Sequence, residues 1–300
     1  MKILLFGKSG QAGWELQRSL APLGELVALN TDSETLCGDF IHPEGIVQTV
    51  RDVAPDIIVN AAAYTAVDRA ENEPDLAQII NALTPGVLAQ EAKRTGAWLI
   101  HYSTDYVFDG AGHRPWRETD PAGPLNVYGK SKLAGENAIR ATGCKHLIFR
   151  TSWVYGTRGG NFAKTLLRLA QQQDRLDVID DQIGAPTGAD LLADVTAHAI
   201  RAARLNADVS GLYHLVAAGE TSWHGYARFA IEFARQAGSK ITVAPDAIHP
   251  VPTSGFPLPA ARPHNSRLNT DKLMSTFGLT LPHWQSGVTR MLTELFENKS

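Results

Sequence analysis

The stretch KILLFGKSGQAGWELQRSL, from Lys2 to Leu20, decides the fold. Lys2 to Phe6 reads as a buried strand, and Ala12 to Leu20 carries apolar residues at helical spacing. Between them lie Gly7, Gly10 and Gly13, spaced G-x-x-G-x-x-G rather than the G-x-G-x-x-G of the usual dinucleotide fingerprint. The physics is the same. Residues without bulk let the backbone approach a pyrophosphate, and the unpaired amides that open a helix point at its oxygens. The candidate phosphate loop is Gly7, Gly10, Gln11, Ala12 and Gly13; the alternative is a tight strand-to-helix turn that binds nothing.

The alternation repeats along the chain. Glu25 to Leu29, Asp56 to Asn60, Trp98 to Tyr102 and His146 to Thr151 read as further strands. Helical stretches run around Asp75 to Arg94 and from Val127 to Ala141. Continuous apolar strands separated by helices predict a parallel sheet covered on both faces. Right-handed crossovers make it a doubly wound, Rossmann-type α/β fold. The second strand runs into Asn30, Thr31 and Asp32, which offer neither a clear acid for ribose hydroxyls nor an arginine for a 2′-phosphate. Asp39 and Phe40 are placed either over an adenine or, for Asp39, as the cap of a helix after Pro43.

The second half is less regular. Gly211 to Val216 reads as a strand, and Ser222 to Gln236 as an amphipathic helix whose Trp223, Tyr226, Phe229 and Phe233 are expected in the core. Ile248 to Pro263 is a proline-rich loop, followed by helices near Thr270 to Phe277 and Leu281 to Phe296. The expected division is a dinucleotide-binding domain over 1–160, with 180–205 added. A smaller, C-terminal substrate-binding domain would then cover 206–300 with parts of 155–180. It would pack at the carboxyl edge of the sheet, where such folds bind ligands.

A net charge of -3 gives no electrostatic reason to expect nucleic acid or an anionic membrane as partner. No run approaches the roughly 18 apolar residues of a membrane helix. The opening apolar run stops at Gly7, too early for a signal peptide. Cys37 and Cys144, far apart and without zinc spacing, fit two reduced thiols of a cytoplasmic protein.

The chemistry gathers at two places. Tyr128 and Lys132 stand four apart on a predicted helix, hence on one face. A phenol with a pKa near 10 is a poor proton carrier at pH 7, and a neighbouring ammonium would lower that value. The strand from Trp98 ends in Ser103, Thr104 and Asp105, at the sheet edge where such folds do chemistry. Thr104 is the preferred hydroxyl to hold a substrate carbonyl and Ser103 the alternative, since strand alternation sends one of the two to the cleft. Arg262 is a candidate for a diphosphate and Trp153 for a sugar face. Asp190 and Asp194, four apart on a predicted helix, could share a hydrated cation, and Glu15 is a looser candidate. His101 and His146 read as structural.

Seven segments then carry a resemblance: FGKSGQAGWEL from Phe6, NAAAYTAVDRAE from Asn60, HYSTDYVFDG from His101, PLNVYGKSKLAGE from Pro124, RTSWVYG from Arg150, QIGAPT from Gln182 and RPHNSRLN from Arg262. In this order, over nearly the whole chain, they resemble the extended short-chain dehydrogenase/reductases and, more narrowly, the dTDP-4-dehydrorhamnose reductase family. The resemblance implies reduction of the C4 ketone of a dTDP-linked 4-keto sugar by NADPH or NADH, for cell-surface polysaccharide. Tyr128 would give the proton, Lys132 would tune it and hold the nicotinamide ribose, and Thr104 would orient the carbonyl. Gly10, Gln11 and Ala12 would touch the pyrophosphate, Asp39 and Phe40 would flank the adenine, and Ala62, Ala63 and Tyr64 would line the cofactor. Thr65 and Val67 would lie near nicotinamide and sugar, while Thr104, Asp105 and Trp153 would contact the sugar or its phosphates. It also implies a magnesium-linked homodimer. The rivals are a 4-epimerase or 4,6-dehydratase of the same fold, and a non-catalytic regulatory relative. The dehydratase lacks support because Tyr106, not a second acid, follows Asp105; the regulatory reading is weakened by the presence of Thr104, Tyr128 and Lys132.

Overall fold

The computed structural model describes residues 1–297. The first half runs β1 (Lys2–Phe6), α1 (Gln11–Leu20), β2 (Glu25–Leu29), α2 (Pro43–Val53), β3 (Ile57–Asn60), a short α3 (Val67–Ala70) and α4 (Pro74–Gln78). A π-helical turn at Ile79–Leu83 leads into α5 (Thr84–Thr95), β4 (Trp98–Thr104), α6 (Val127–Thr142) and β5 (His146–Thr151). The second half holds β6 (Val154–Tyr155), α7 (Phe162–Ala170), β7 (Leu176–Ile179), β8 (Ile183–Gly184), β9 (Thr187–Gly188) and α8 (Ala189–Leu205). It continues with β10 (Gly211–His214), β11 (Thr221–Ser222), α9 (Trp223–Gln236), β12 (Ile248–Val251), α10 (Asp271–Phe277) and α11 (Trp284–Glu297). None of the described helices is long and apolar enough to cross a membrane.

A parallel sheet in the order β10-β5-β4-β3-β1-β2 forms the centre. Side chains alternate along each strand, so both faces must be covered. Ile3 and Leu5 of β1, with Ile57 and Val59 of β3, pack under α1 and α8 with Leu16, Leu20, Leu192 and Ile200. Leu4, Phe6 and Ile58 point the other way, toward Val50 of α2, Leu88 of α5 and Ile139 of α6. These side chains are at most 1 % exposed, and each buried aliphatic of this size contributes about 1.5–3 kcal/mol.

The π turn has a packing reason. It carries Asn81, whose carbonyl would lie 2.1 Å from a Cβ at Gly135, so α6 approaches the turn as only a glycine permits. The Asn81 side chain donates to Ser131 Oγ (3.0 Å) on the same helix. That helix carries Tyr128 and Lys132, so the turn helps to fix their position.

Three elements differ from the sequence expectation. The strand read with the smaller domain, β10, pairs with β5 and extends the large sheet, because Leu212 and Tyr213 meet its two opposite cores. Helix α10 follows it there through Leu273 and Phe277. The proline-rich loop opens as β12, parallel to β7, with Pro250 within the strand. A second core lies between α7, α9, α11 and these two strands, where Tyr226, Ile231, Trp284 and Val288 are buried.

Candidate active site

β1 is flanked by β2 on one side and β3 on the other, so the loops leaving β1 and β3 diverge at the carboxyl edge. A cleft of about 410 Å³ opens there. Gly10, Gln11 and Ala12 line it from the first loop, and Ala61, Ala63, Thr65 and Val67 from the chain after β3. Ser103 to Tyr106, Tyr128, Lys132 and Thr151 to Val154 complete the wall.

The three loop glycines do different work. Gly7 has φ 84°, and a Cβ there would lie 2.7 Å from the Ala62 amide nitrogen. A Cβ at Gly13 would lie 1.9 Å from the Gly7 carbonyl oxygen. These two close the turn. A Cβ at Gly10 meets only that same oxygen, at 3.5 Å, so the emptiness at Gly10 serves the cleft instead. Gly10 caps α1 without a side-chain bond, leaving first-turn amides for an anion.

At the end of β4, Thr104 Oγ1 donates to Asp105 Oδ1 (3.1 Å) and accepts from the Tyr106 amide (3.2 Å). Tyr128 and Thr104 line the same cleft, near enough for the Thr104 hydroxyl to favour the phenolate, which brings the two expected catalytic groups together. Both Ser103 and Thr104 line the cleft, because the chain turns into a 3-10 helix at Asp105–Val107 and breaks the alternation. The expected softening of the phenol is not found. Burial pushes Tyr128 up to about 12, against the pull of the Thr104 hydroxyl. Lys132, 2 % exposed, instead donates to the Tyr102 carbonyl (2.6 Å) and lies 3.4 Å from His101 Nε2. Burial lowers Lys132 to about 8. Burial also raises Asp105 to about 6, opposed by the nearby hydroxyls of Ser266 and Thr104.

Four buried polar atoms on this wall have no partner among the described residues: Ser103 Oγ, Asp105 Oδ2, Thr151 Oγ1 and Ser152 Oγ. An unmet buried polar group costs about 1–3 kcal/mol. Four in one cleft mark a surface shaped for a polar ligand.

Trp153 borders the cleft with φ 50°, a conformation that costs a non-glycine residue about 1–3 kcal/mol. Its ring stacks on Trp223 at 3.6 Å and 15°. Gly184 leaves room for it, since a Cβ there would come within 2.9 Å of the indole. Trp223 is therefore more than core: it backs a cleft residue and donates to Gln182 Oε1 (3.1 Å).

A family model described as RmlD substrate binding domain matches residues 1–297. The chain belongs to the RmlD substrate binding domain family. It is 62% identical to dTDP-4-dehydrorhamnose reductase of Escherichia coli (strain K12), over 99% of this chain and 98% of that one. A dTDP-4-dehydrorhamnose reductase structure from Clostridium acetobutylicum is 35% identical with a TM-score of 0.89, covering 98% of this chain and 99% of that one. Another from Bacillus anthracis, in complex with NADP, is 34% identical with a TM-score of 0.86 over the same shares.

Within this RmlD-family chain, several residues expected at the cofactor or substrate have partners inside the protein. The Phe40 ring is buried edge-on against Phe6 (5.3 Å, 68°). Asp39 Oδ1 accepts from the Ile41 amide (3.1 Å), while His42 is the cap residue of α2. Asn30 binds Asp32 through its side chain (3.2 Å). Ala62 turns toward the core, its amide donating to Asn60 Oδ1 (3.0 Å), and the Tyr64 hydroxyl is held by Glu73. Arg262 forks onto Asp68 (2.9 and 2.7 Å) and the Ala260 carbonyl (2.8 Å), outside the cleft wall. Ala61, Thr151 and Ser152 were not singled out from sequence; they follow β3 and β5 by the rule that pointed to Thr104.

The carboxylates proposed for magnesium are engaged by cations of the protein. Asp194 accepts from Arg18 (2.9 Å) and Ser19 (2.5 Å), Glu15 pairs with Arg18 (3.3 Å), and Asp190 with Arg290 (3.3 Å). No group of three or more His, Cys, Asp or Glu among the described residues is arranged to hold a metal ion. The donor set of one chain does not fit the ion.

Proposed function

We propose that the chain is an NAD(P)H-dependent reductase that converts the C4 ketone of dTDP-4-dehydro-β-L-rhamnose to the alcohol of dTDP-L-rhamnose, a precursor of cell-surface polysaccharide. The observation that carries this is the meeting of Thr104 and Tyr128 beside Lys132, at the carboxyl edge opposite the glycine loop. The relative solved with NADP supports a nicotinamide nucleotide as the partner of that loop.

The cofactor, when bound, supplies a hydride to the carbonyl carbon. The chain's own groups do the rest. Thr104 turns its one hydrogen from Asp105 Oδ1 to the carbonyl oxygen and fixes its direction. As the C=O pair collapses onto oxygen, the O–H bond of Tyr128 breaks and its proton goes to that oxygen, leaving a phenolate that solvent reprotonates. A phenol near 12 keeps its proton until an alkoxide forms, which suits a donor in the reductive direction. Lys132 offers a buried amine for ribose hydroxyls. Asp105 Oδ2, Thr151 and Ser152 provide unmet polar atoms for sugar hydroxyls, with Trp153 as the apolar platform. Raised only to about 6, Asp105 is mostly ionised at pH 7, and a carboxylate repels phosphate oxygens, so Asp105 is assigned to the sugar hydroxyls. The second core, around α7, α9 and α11, is taken as the substrate-binding unit.

A cytoplasmic homodimer belongs to the same reading, and light scattering of the purified chain tests the oligomer. The reaction is tested by NAD(P)H oxidation with dTDP-4-keto-6-deoxyglucose and a 3,5-epimerase. No oxidation above the epimerase-only control, with either cofactor, would refute it.

A further inference from the structure

Beneath Lys132 lies a buried pair that the mechanism above does not use. Asn60 and His101 are register neighbours on β3 and β4, 1 % and 0 % exposed. The Ala62 amide lies 3.0 Å from Asn60 Oδ1 and can only donate, so the Asn60 side chain must turn its oxygen there. Its NH₂ then faces His101 Nδ1 at 3.0 Å. Flipping the amide would set N–H against N–H at Ala62. His101 Nδ1 is therefore an acceptor, and the neutral ring must carry its hydrogen on Nε2. That nitrogen lies 3.4 Å from Lys132 Nζ.

We infer that Asn60 and His101 form a tautomer lock beneath Lys132, holding an imidazole N–H toward the lysine nitrogen and so setting the pH at which Lys132 gives up its proton. A free amine can accept that N–H through its lone pair. An ammonium, which has only donors, cannot. His101 is thus a positioning residue, acting through Lys132 rather than on substrate. The imidazolium form is shut out by the same Asn60 donor, and burial and the Lys132 charge both hold His101 well below its ordinary range.

The other groups around the lysine do not replace this effect. On α6, Glu136 acts to raise Lys132, but both its oxygens are held by Arg150 of β5 (2.9 and 2.6 Å). Tyr128 of α6 and Asp105 and Tyr106 of the 3-10 turn share the cleft wall with it. Asn81 of the π turn is engaged by Tyr64 and Ser131. Among these, His101 is the group within hydrogen-bond reach of Nζ whose N–H direction is fixed.

The inference rests on the reductase reading only for its kinetic arm. In ¹⁵N-histidine NMR of the whole chain, with His101 assigned from a His101→Gln variant, the expected state is neutral with Nε2–H from about pH 6 to 9. Asn60→Asp offers oxygens to both Ala62 N–H and Nδ1–H. It should move the hydrogen to Nδ1, turn Nε2 into an acceptor, and raise the alkaline limb of kcat by about one pH unit, a tenfold change in acidity. Because the new carboxylate also acts by charge, the same substitution is made in His101→Phe, where more than half of the rise should vanish. A bare Nε2 in the unmodified chain overturns the lock. So does a flipped tautomer with an unmoved limb, or an equal rise without the imidazole. Should the unmodified chain fail to turn over, the reductase reading has failed. NMR then still decides the tautomer, and NADPH affinity against pH replaces the kinetic limb.

Discussion

Replacing Tyr128 by Phe removes one oxygen from the cleft wall and little else. The ring stays packed edge-on against Tyr106 (5.5 Å, 77°), so the thermal midpoint should move by no more than about 2 °C. What is lost is the proton donor. A positioned general acid contributes about 10²- to 10⁴-fold, or roughly 3–5 kcal/mol at 1.36 kcal/mol per decade. The structure narrows this. Asp105 sits on the same wall and, at about 6, is about one-tenth protonated at pH 7, so it can stand in weakly. We therefore expect kcat to fall about 10²- to 10³-fold, with NADPH affinity within about twofold of the parent. The residual rate should climb as pH drops through about 6, where Asp105 gains its proton. The assay is the loss of reduced-nicotinamide absorbance with the epimerised keto sugar, and cofactor binding is read by fluorescence. Turnover within about fivefold of the parent would refute the proton-donor assignment and, with it, the reaction geometry.

Three further outcomes follow from the same site. Lys132→Ala should weaken both NADPH binding and kcat, and abolish the alkaline fall expected of the parent as pH rises through about 8, where Lys132 deprotonates; unaltered binding counts against the ribose contact. Asp105 has a folded pKa raised by burial, so its carboxyl favours the fold at low pH and that contribution is lost as pH rises through about 6. Asp105→Asn should accordingly raise the thermal midpoint at pH 8 but not at pH 4, while raising KM for the sugar, and a midpoint gain equal at both values would contradict the assignment. Gly13→Ala, whose Cβ would lie 1.9 Å from the Gly7 carbonyl oxygen, should lower the midpoint sharply, whereas Gly10→Ala should fold normally and lose at least about tenfold in NADPH affinity; calorimetry and titration separate the two, and equal behaviour would undo the division of labour among the glycines.

The local periodicities of the chain determined much of this molecule. Lys2–Phe6, Glu25–Leu29 and His146–Thr151 are strands with the bounds read from sequence, because apolar runs between turn residues have few other places to go. Tyr128 and Lys132 share a helix face by spacing alone, and strand ends mark the cleft wherever the sheet is parallel. What spacing does not hold is the identity of a partner far along the chain. Arg262 was read for a phosphate, yet its fork closes on Asp68, 194 positions away. Phe40 was read for a base and is buried against Phe6. Gly211–His214 was read with the smaller domain and adds to the large sheet, because its two faces fit the cores already there. Burial, too, belongs to the tertiary structure: spacing suggested an ammonium that would soften the phenol, whereas desolvation raises Tyr128, and Lys132 points to the Tyr102 carbonyl and His101. Periodicity is a property of neighbours in sequence, while the dielectric around a side chain and the atoms that meet it depend on every element packed over it.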